Sequence, residues 1–188
     1  MTLLPDIDLD RTGYRRPEGL RLMISAREAF PQLERAVLAA KSEIWASFRV
    51  FDLSTRLRSA EAREIGEDWF DLIVHTLRRG VALHFAIADF DPVARPELHR
   101  RTWHAIRTLW AAHELAGQEA RLTATAALHP ARVGGIARLA FWAVGHRHLK
   151  ATAANLTKLD GPRQACFLRD APGLRRLMKK TQIGRAHV

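Results

Sequence analysis

The chain has 188 residues, of which 47% are hydrophobic, and this is enough for one domain with a buried core. Its single cysteine, Cys166, excludes an internal disulfide and is typical of a protein from a reducing compartment. The sequence has neither an apolar window of about 18 residues, which a transmembrane helix requires, nor the basic start and apolar core of a secretory signal. We expect a cytoplasmic protein, with peripheral attachment to a membrane as an open alternative.

The formal net charge of +10 is unevenly distributed along the chain. Residues 1–120 contain 17 Lys and Arg against 18 Asp and Glu, whereas residues 121–188 contain 13 against 2. Such a basic segment is suited to the phosphates of nucleic acid or anionic lipid. A solvated, Arg-rich helical surface is the alternative interpretation, and both stay open at this point.

Two strand-like segments joined by an amphipathic helix predict the core of the fold. Residues 81–88, VALHFAIA, are apolar apart from His84 and have the length of a strand buried on both faces. A second strand-like run covers 43–51, and the amphipathic segment 67–79 lies between the two, with Gly80 as its C-cap. Strand, helix and strand at this spacing predict a βαβ unit with adjacent, parallel strands.

The remaining patterns extend this unit on both sides. Ser25 with Glu28 predicts a capped helix, and 121–128, RLTATAAL, predicts a third parallel strand. The predicted fold class is α/β: a mostly parallel sheet flanked by helices and followed by a helical basic segment. The other expected elements are a short edge strand at 20–24, a polar connection at 53–64, a helix at 96–118, and basic helices at 147–159 and 163–180.

Two carboxylates, Asp89 and Asp91, follow the strand at 81–88. Ligands of parallel α/β sheets bind just beyond the carboxyl ends of the strands. An apolar strand ending in Asp-x-Asp resembles the metal-nucleotide motif of many glycosyltransferases, in which the carboxylates hold a divalent ion on a diphosphate. Two further interpretations stay open: the pair lines another kind of active site, or it caps the turn before Pro92.

Arg49 is a candidate phosphate-binding residue at the end of the strand at 43–51. On a strand it shares a face with Ser47, because side chains alternate with a period of two. An arginine directed into an α/β core requires a partner, and Asp52 or Asp89 is the expected one. The alternative interpretation is therefore a strand-end ion pair without a functional role.

His148 and Lys150 form the only cluster that suggests covalent phosphate chemistry. On a strand the two side chains would point the same way, so that the histidine could attack phosphorus while the lysine held the oxyanion charge. The flanking sequence, AFWAVGHRHLKATAANLTKL, is instead typical of a helix, on which residues two apart diverge. Basic side chains on a surface helix are thus the alternative.

The pattern REAFPQLERAVLAAKSEIWASFRVFD, then a helix, then GVALHFAIADFDP resembles the amino-terminal half-domain of the phospholipase D superfamily. It is most similar to bacterial phospholipase D-like and cardiolipin synthase-like proteins, over about residues 20–130. The signature of that family is His-x-Lys-x-x-x-x-Asp, usually present twice, with one histidine forming a phosphohistidine. Here His148-Leu149-Lys150 is followed at that spacing by Asn155 in place of Asp, and the sequence holds no second copy.

The resemblance implies cleavage or transfer of phosphodiesters, on phospholipid or another phosphodiester substrate, without a metal or cofactor. Because the signature is incomplete, it also implies an inactive amino-terminal fragment that needs a missing carboxyl-terminal half. The last residues, QIGRAHV, look like a translated sequencing adapter. The expected divisions are a loose arm at 1–19, the half-domain at 20–130, a basic helical insertion at 131–181 and an adapter-derived tail at 182–188.

Two other functions stay open. The first is a metal-dependent glycosyltransferase-like domain that uses Asp89 and Asp91. The second is a non-enzymatic basic module in which residues 131–180 bind an anionic membrane surface or nucleic acid.

Overall fold

The computed structural model describes residues 22–128 and 135–183. The predicted arm at 1–19 and residues 184–188 of the predicted tail lie outside the described residues. The elements in chain order are α1 (Ala26–Ala39), β1 (Glu43–Phe48), α2 (Ala60–Arg63), α3 (Trp69–Arg78), β2 (Ala82–Asp89), α4 (Pro96–Ala116), β3 (Leu122–Leu128), α5 (Gly135–Leu156), α6 (Gly161–Arg169) and α7 (Pro172–Ile183).

The three strands form one sheet in the order β1-β2-β3, and both pairs are parallel. Ile44 lies opposite Leu83, which in turn lies opposite Leu122. The α/β fold and the parallel pairing of the first two strands are therefore confirmed, as is the third strand. Gly80 follows α3 with a φ of 80°, the left-handed conformation that the predicted C-cap requires.

One face of the sheet carries the core. Leu83, Phe85 and Ile87 of β2 point to this face, where they cluster with buried side chains of α3 and α4 such as Ile73 and Leu109. Because both crossover helices pack on the same side, this face is closed to water. A smaller cluster beneath α1 contains Val37, Leu57, Ala62, Trp69 and Leu72.

The opposite face, which we call the open face, is left exposed in the part of the chain that the structure describes. Trp45 is 75% exposed there, and Ser47, Thr123 and Thr125 are exposed as well. The Trp45 ring stacks on His84 with centroids 4.1 Å apart. Parallel sheets normally have both faces covered, whereas residues 22–128 and 135–183 supply helices on only one face of this sheet.

Two predictions, the edge strand at 20–24 and the polar connection at 53–64, are wrong. Residues 22–24, the described part of the expected edge strand, form no strand. The expected polar connection at 53–64 contains α2 and buries Leu53 and Leu57. The reason is the fully buried Glu34, whose carboxylate accepts the backbone N–H groups of Arg58 and Ser59 and so holds this segment against α1.

The carboxyl-terminal helices differ from the prediction in their boundaries. α5 is one helix from Gly135 to Leu156, so it takes in the apolar residues that precede the first expected basic helix. The second expected basic helix is divided into α6 and α7, because Pro172 has no N–H to continue α6 and instead begins α7. Leu156, Ala171 and Leu174 form the small buried cluster of this region.

Candidate functional site

The side chain of Asp89, at the carboxyl end of β2, is 8% exposed and makes three hydrogen-bond contacts. Its Oδ1 accepts the backbone N–H of Phe90 at 2.8 Å and lies 2.7 Å from Nδ1 of His99. Its Oδ2 accepts the indole N–H of Trp103 at 3.1 Å. Oδ1 carries two of these contacts and Oδ2 carries one, so a ligand of this carboxylate would compete with His99 and Trp103.

His99 links three elements through this carboxylate. Its Nδ1 lies 3.1 Å from the carbonyl oxygen of Phe90 as well as beside Asp89, while its Nε2 accepts the backbone N–H of Gly173 at 3.2 Å. We infer from these partners that the neutral imidazole carries its proton on Nδ1. Since every member is satisfied, β2, α4 and the start of α7 are joined by a closed polar network.

Asp91 has a separate and local role. Its Oδ1 accepts the backbone N–H groups of Val93 at 2.8 Å and Ala94 at 2.7 Å, and its own carbonyl accepts the N–H of Arg95. This geometry is the turn cap that formed one of the three interpretations of the Asp-x-Asp sequence. Within 22–128 and 135–183, no group of three or more His, Cys, Asp or Glu side chains is placed to hold a metal ion.

Arg49 lies just beyond β1 and is exposed, with its guanidinium 5.9 Å from the ring centroid of Phe90. The expectation that it pairs with Asp52 or Asp89 is wrong. Asp52 binds the N–H and hydroxyl of Ser54, and Asp89 binds His99. The reason is that Arg49 is exposed to water, which removes the need for a buried counterion.

A cleft of about 460 Å³ opens at the carboxyl end of β1. The chain after β1, the start of α3 and the middle of α4 form its walls, and Asp52, Arg101 and His104 are among its lining residues. Hydrogen bonds from Ser54 lower the pKa of Asp52, with smaller contributions from the positive charge of His104 and Arg101. This volume is in the range of small-molecule sites.

The carboxylates of the cleft are committed to backbone donors. Asp68 is the N-cap of α3 and accepts the N–H groups of Phe70 and Asp71, while Asp71 accepts the N–H of Glu67. Among the described contacts, the side chains of Arg101 and His104 take part in no hydrogen bond or ion pair. Arg101 and His104 lie one turn apart on the same helix, so both can meet a ligand in the cleft, beside the carboxylates of Asp52, Asp68 and Asp71.

His148 and Lys150 lie on α5, as the flanking sequence indicated, and both are exposed. Residues two apart on a helix diverge, so the two side chains do not converge on a common point. No contact in the described part of the chain joins them to Arg49, Asp89 or Asp91. The structure thus places the candidate residues in two groups, one at the edge of the sheet and one on α5.

Sequence reasoning missed His99, Trp103, Arg101 and His104, which all lie on α4. A signal for the first two exists, since His99 and Trp103 are four residues apart and so share a helix face. Their common partner, Asp89, becomes evident only from the fold.

A search of protein-family models finds no match to this chain, and a search of curated proteins finds none either. The residues of the site are therefore the basis for any assignment of function.

Proposed function

We propose that this chain is the amino-terminal part of a phospholipase D-like phosphodiesterase or phosphatidyltransferase. In this proposal the chain binds the phosphodiester of its substrate at the carboxyl edge of the sheet. The histidines that attack phosphorus and protonate the leaving alcohol are supplied by sequence outside these 188 residues. The observation that carries the proposal is the pair of uncommitted basic side chains, Arg101 and His104, in the cleft beyond β1.

The position and chemistry of the cleft support phosphate binding. Ligands of parallel sheets bind at this edge, and a guanidinium is the side chain best suited to two phosphate oxygens at once. The exposed Arg49 adds a second guanidinium at the same edge of the sheet. The three carboxylates of the cleft accept backbone N–H groups, whereas the side chains of Arg101 and His104 have no partner among the described residues and can donate to an anion.

The open face supports the view that the chain is part of a larger fold. A parallel sheet with helices on one side only exposes apolar surface that a second layer normally covers. Trp45, at 75% exposure in the middle of β1, is the clearest instance. A further part of the polypeptide that completes this layer is also the expected source of the catalytic histidines.

The alternative of a metal-dependent glycosyltransferase is less well supported by the geometry. An ion at Asp89 would compete with His99 and Trp103, and Asp91 already caps a turn through its Oδ1. If coordination displaced His99 or Trp103, each buried group left without a partner would cost about 1–3 kcal/mol of free energy.

The test is an NMR titration of the 188-residue chain with bis(p-nitrophenyl) phosphate, a soluble phosphodiester. We expect saturable binding with shifts at His104 and its neighbours. Arg101→Gln should weaken binding roughly tenfold, because a hydrogen bond to a charged group is lost. The matched control, Arg27→Gln, changes an exposed arginine of α1 outside the cleft and should have no effect.

Absence of binding, or equal weakening by the two variants, would reject the site. The same chain should not turn the ester over, because His148 and Lys150 do not converge. Turnover that disappears in His148→Ala would show that α5 carries a working catalytic site. The proposal that the catalytic histidines lie outside these 188 residues would then be wrong.

A further inference from the structure

The first half of α5 exposes an unusual amount of apolar surface. Large apolar side chains occur at Ile136, Leu139, Phe141, Trp142 and Val144, and the first four are between 67% and 89% exposed. We call residues 136–144 the apolar segment of α5. Exposed apolar patches of this kind mark sites that contact a protein or a membrane.

The apolar segment differs from an ordinary amphipathic helix because its large apolar side chains lie on all sides, with Arg138 as the one charged residue among them. Successive residues turn by about 100° around a helix, so Ile136, Phe141 and Trp142 point in three widely separated directions. A single neighbouring helix could cover only one of these directions. A helix that is apolar all round belongs in an interior or in lipid.

A basic half follows the apolar segment on the same helix. Arg147, His148 and Lys150 are exposed, and α5 contains no acidic residue. The surrounding residues 121–188 carry 13 Lys and Arg against 2 Asp and Glu. Since apolar residues flanked by basic ones suit both the acyl boundary and the headgroups of a bilayer, the charge of α5 complements an anionic lipid surface.

We infer that α5 is a membrane-docking element: its apolar segment enters the interface of an anionic bilayer while Arg147 and Lys150 contact lipid phosphates. Across the described ranges, no helix combines the length and apolarity needed to cross a bilayer. Self-association through α5 is less favourable than binding to a bilayer. Each chain has a formal charge of +10, so two copies would bring their most basic parts together and repel each other.

The experiment is flotation of the full chain with vesicles of phosphatidylcholine, either alone or mixed with phosphatidylglycerol. We expect binding to the mixed vesicles that weakens steeply with added salt, and much weaker binding to phosphatidylcholine alone. The double variant Phe141→Ser, Trp142→Ser should bind the mixed vesicles at least about tenfold more weakly. The control Trp45→Ser, which removes an equally exposed indole from the open face, should bind like the parent.

The basic half has its own matched pair of variants. Arg147→Gln with Lys150→Gln should weaken binding to the mixed vesicles by roughly thirtyfold. Arg27→Gln with Lys41→Gln removes the same charge from exposed positions outside α5 and should change binding far less. Circular dichroism checks that each variant keeps its helix content.

Three results would overturn the inference. They are equal binding to neutral and anionic vesicles, an equal loss with Trp45→Ser, and self-association that requires Phe141 and Trp142 in the absence of any vesicle binding. The inference is independent of the proposed phosphodiester site, since the NMR titration contains no bilayer and the α5 variants leave the cleft intact.

Discussion

The two regions of the chain, residues 22–128 and residues 135–183, differ in how much apolar surface they bury. The first region buries a continuous apolar layer between its sheet and two helices, with Leu83, Ile87 and Leu109 fully enclosed. The second region buries only a small cluster around Leu156, Ala171 and Leu174 and leaves the first half of α5 exposed. Because apolar burial is the dominant stabilising term, the helical region should be the weaker of the two.

The contacts between the two regions are mainly polar. His99 accepts the N–H of Gly173, the guanidinium of Arg107 forms an ion pair with Asp170, and Arg100 lies 4.0 Å from the ring centroid of Phe167. Burial and the nearby Arg169 lower the pKa of Arg107, although it stays charged at any ordinary pH. Docking of this kind depends on a few specific groups, so single substitutions can separate the regions.

The largest expected effect is a contrast between two fully buried leucines, Leu83 of β2 and Leu174 of α7. Leu83→Ala should lower the global free energy of unfolding by about 2–5 kcal/mol, because a cavity opens in the main core. Leu174→Ala removes the same atoms but should loosen only the helical region. Urea unfolding followed by circular dichroism, together with amide exchange of β2, distinguishes the two variants. Equal loss of protection in β2 would show that the regions unfold as one unit.

A smaller effect is expected from breaking the polar link at His99. His99→Ala leaves Asp89 without its imidazole partner and the N–H of Gly173 without an acceptor, which should cost about 1–3 kcal/mol. We expect faster amide exchange in α6 and α7, with β1 and β3 little changed. The control is Thr108→Ala, which removes an exposed hydrogen bond from the Thr108 hydroxyl to the carbonyl of His104 in the same helix, α4. Unchanged exchange in α7 would contradict the docking role of His99.

The smallest predicted effect concerns acid stability. The pKa of Asp52 is lowered in the folded chain, first by its Ser54 hydrogen bonds, so its contribution is present above the unfolded pKa and is lost as the pH falls through the folded one. The carboxylate is exposed and screened by solvent, so we expect about 0.5 kcal/mol or less. Asp52→Asn should flatten the loss of stability below about pH 4 by this amount. If the variant lost stability more steeply than the parent as the pH fell, the predicted direction of the Asp52 effect would be wrong.

Local patterns were sufficient to predict most elements of the first region. Strands such as 81–88 and the amphipathic helix before them are specified by periodicity and by the Gly80 cap, and the third strand follows in the same way. The patterns did not reveal Glu34, because a glutamate on an amphipathic helix is normally solvated and its partners, Arg58 and Ser59, lie 24 and 25 residues away.

The candidate site was less accessible to sequence reasoning. The parallel direction of the strands was predicted correctly, and the carboxyl edge of the sheet stays a prediction as the location of the site. Asp89 drew attention as a possible ligand, yet its partners His99 and Trp103 lie on the next helix, and nothing local indicates that they turn back toward it. Likewise, the composition of α5 predicts a basic helix, whereas the exposure of Phe141 and Trp142 depends on what packs against that helix.

The open face has a spectroscopic consequence. An indole in water emits at longer wavelength than one in an apolar environment, and Trp45 of the edge strand β1 is exposed on the open face, stacked on His84. Any segment or partner that completes the sheet must remove water from this ring. A blue shift of the tryptophan emission that is absent in Trp45→Phe would therefore report that the open face has been covered. The fluorescence of Trp45 can thus be used to follow the assembly of the complete fold.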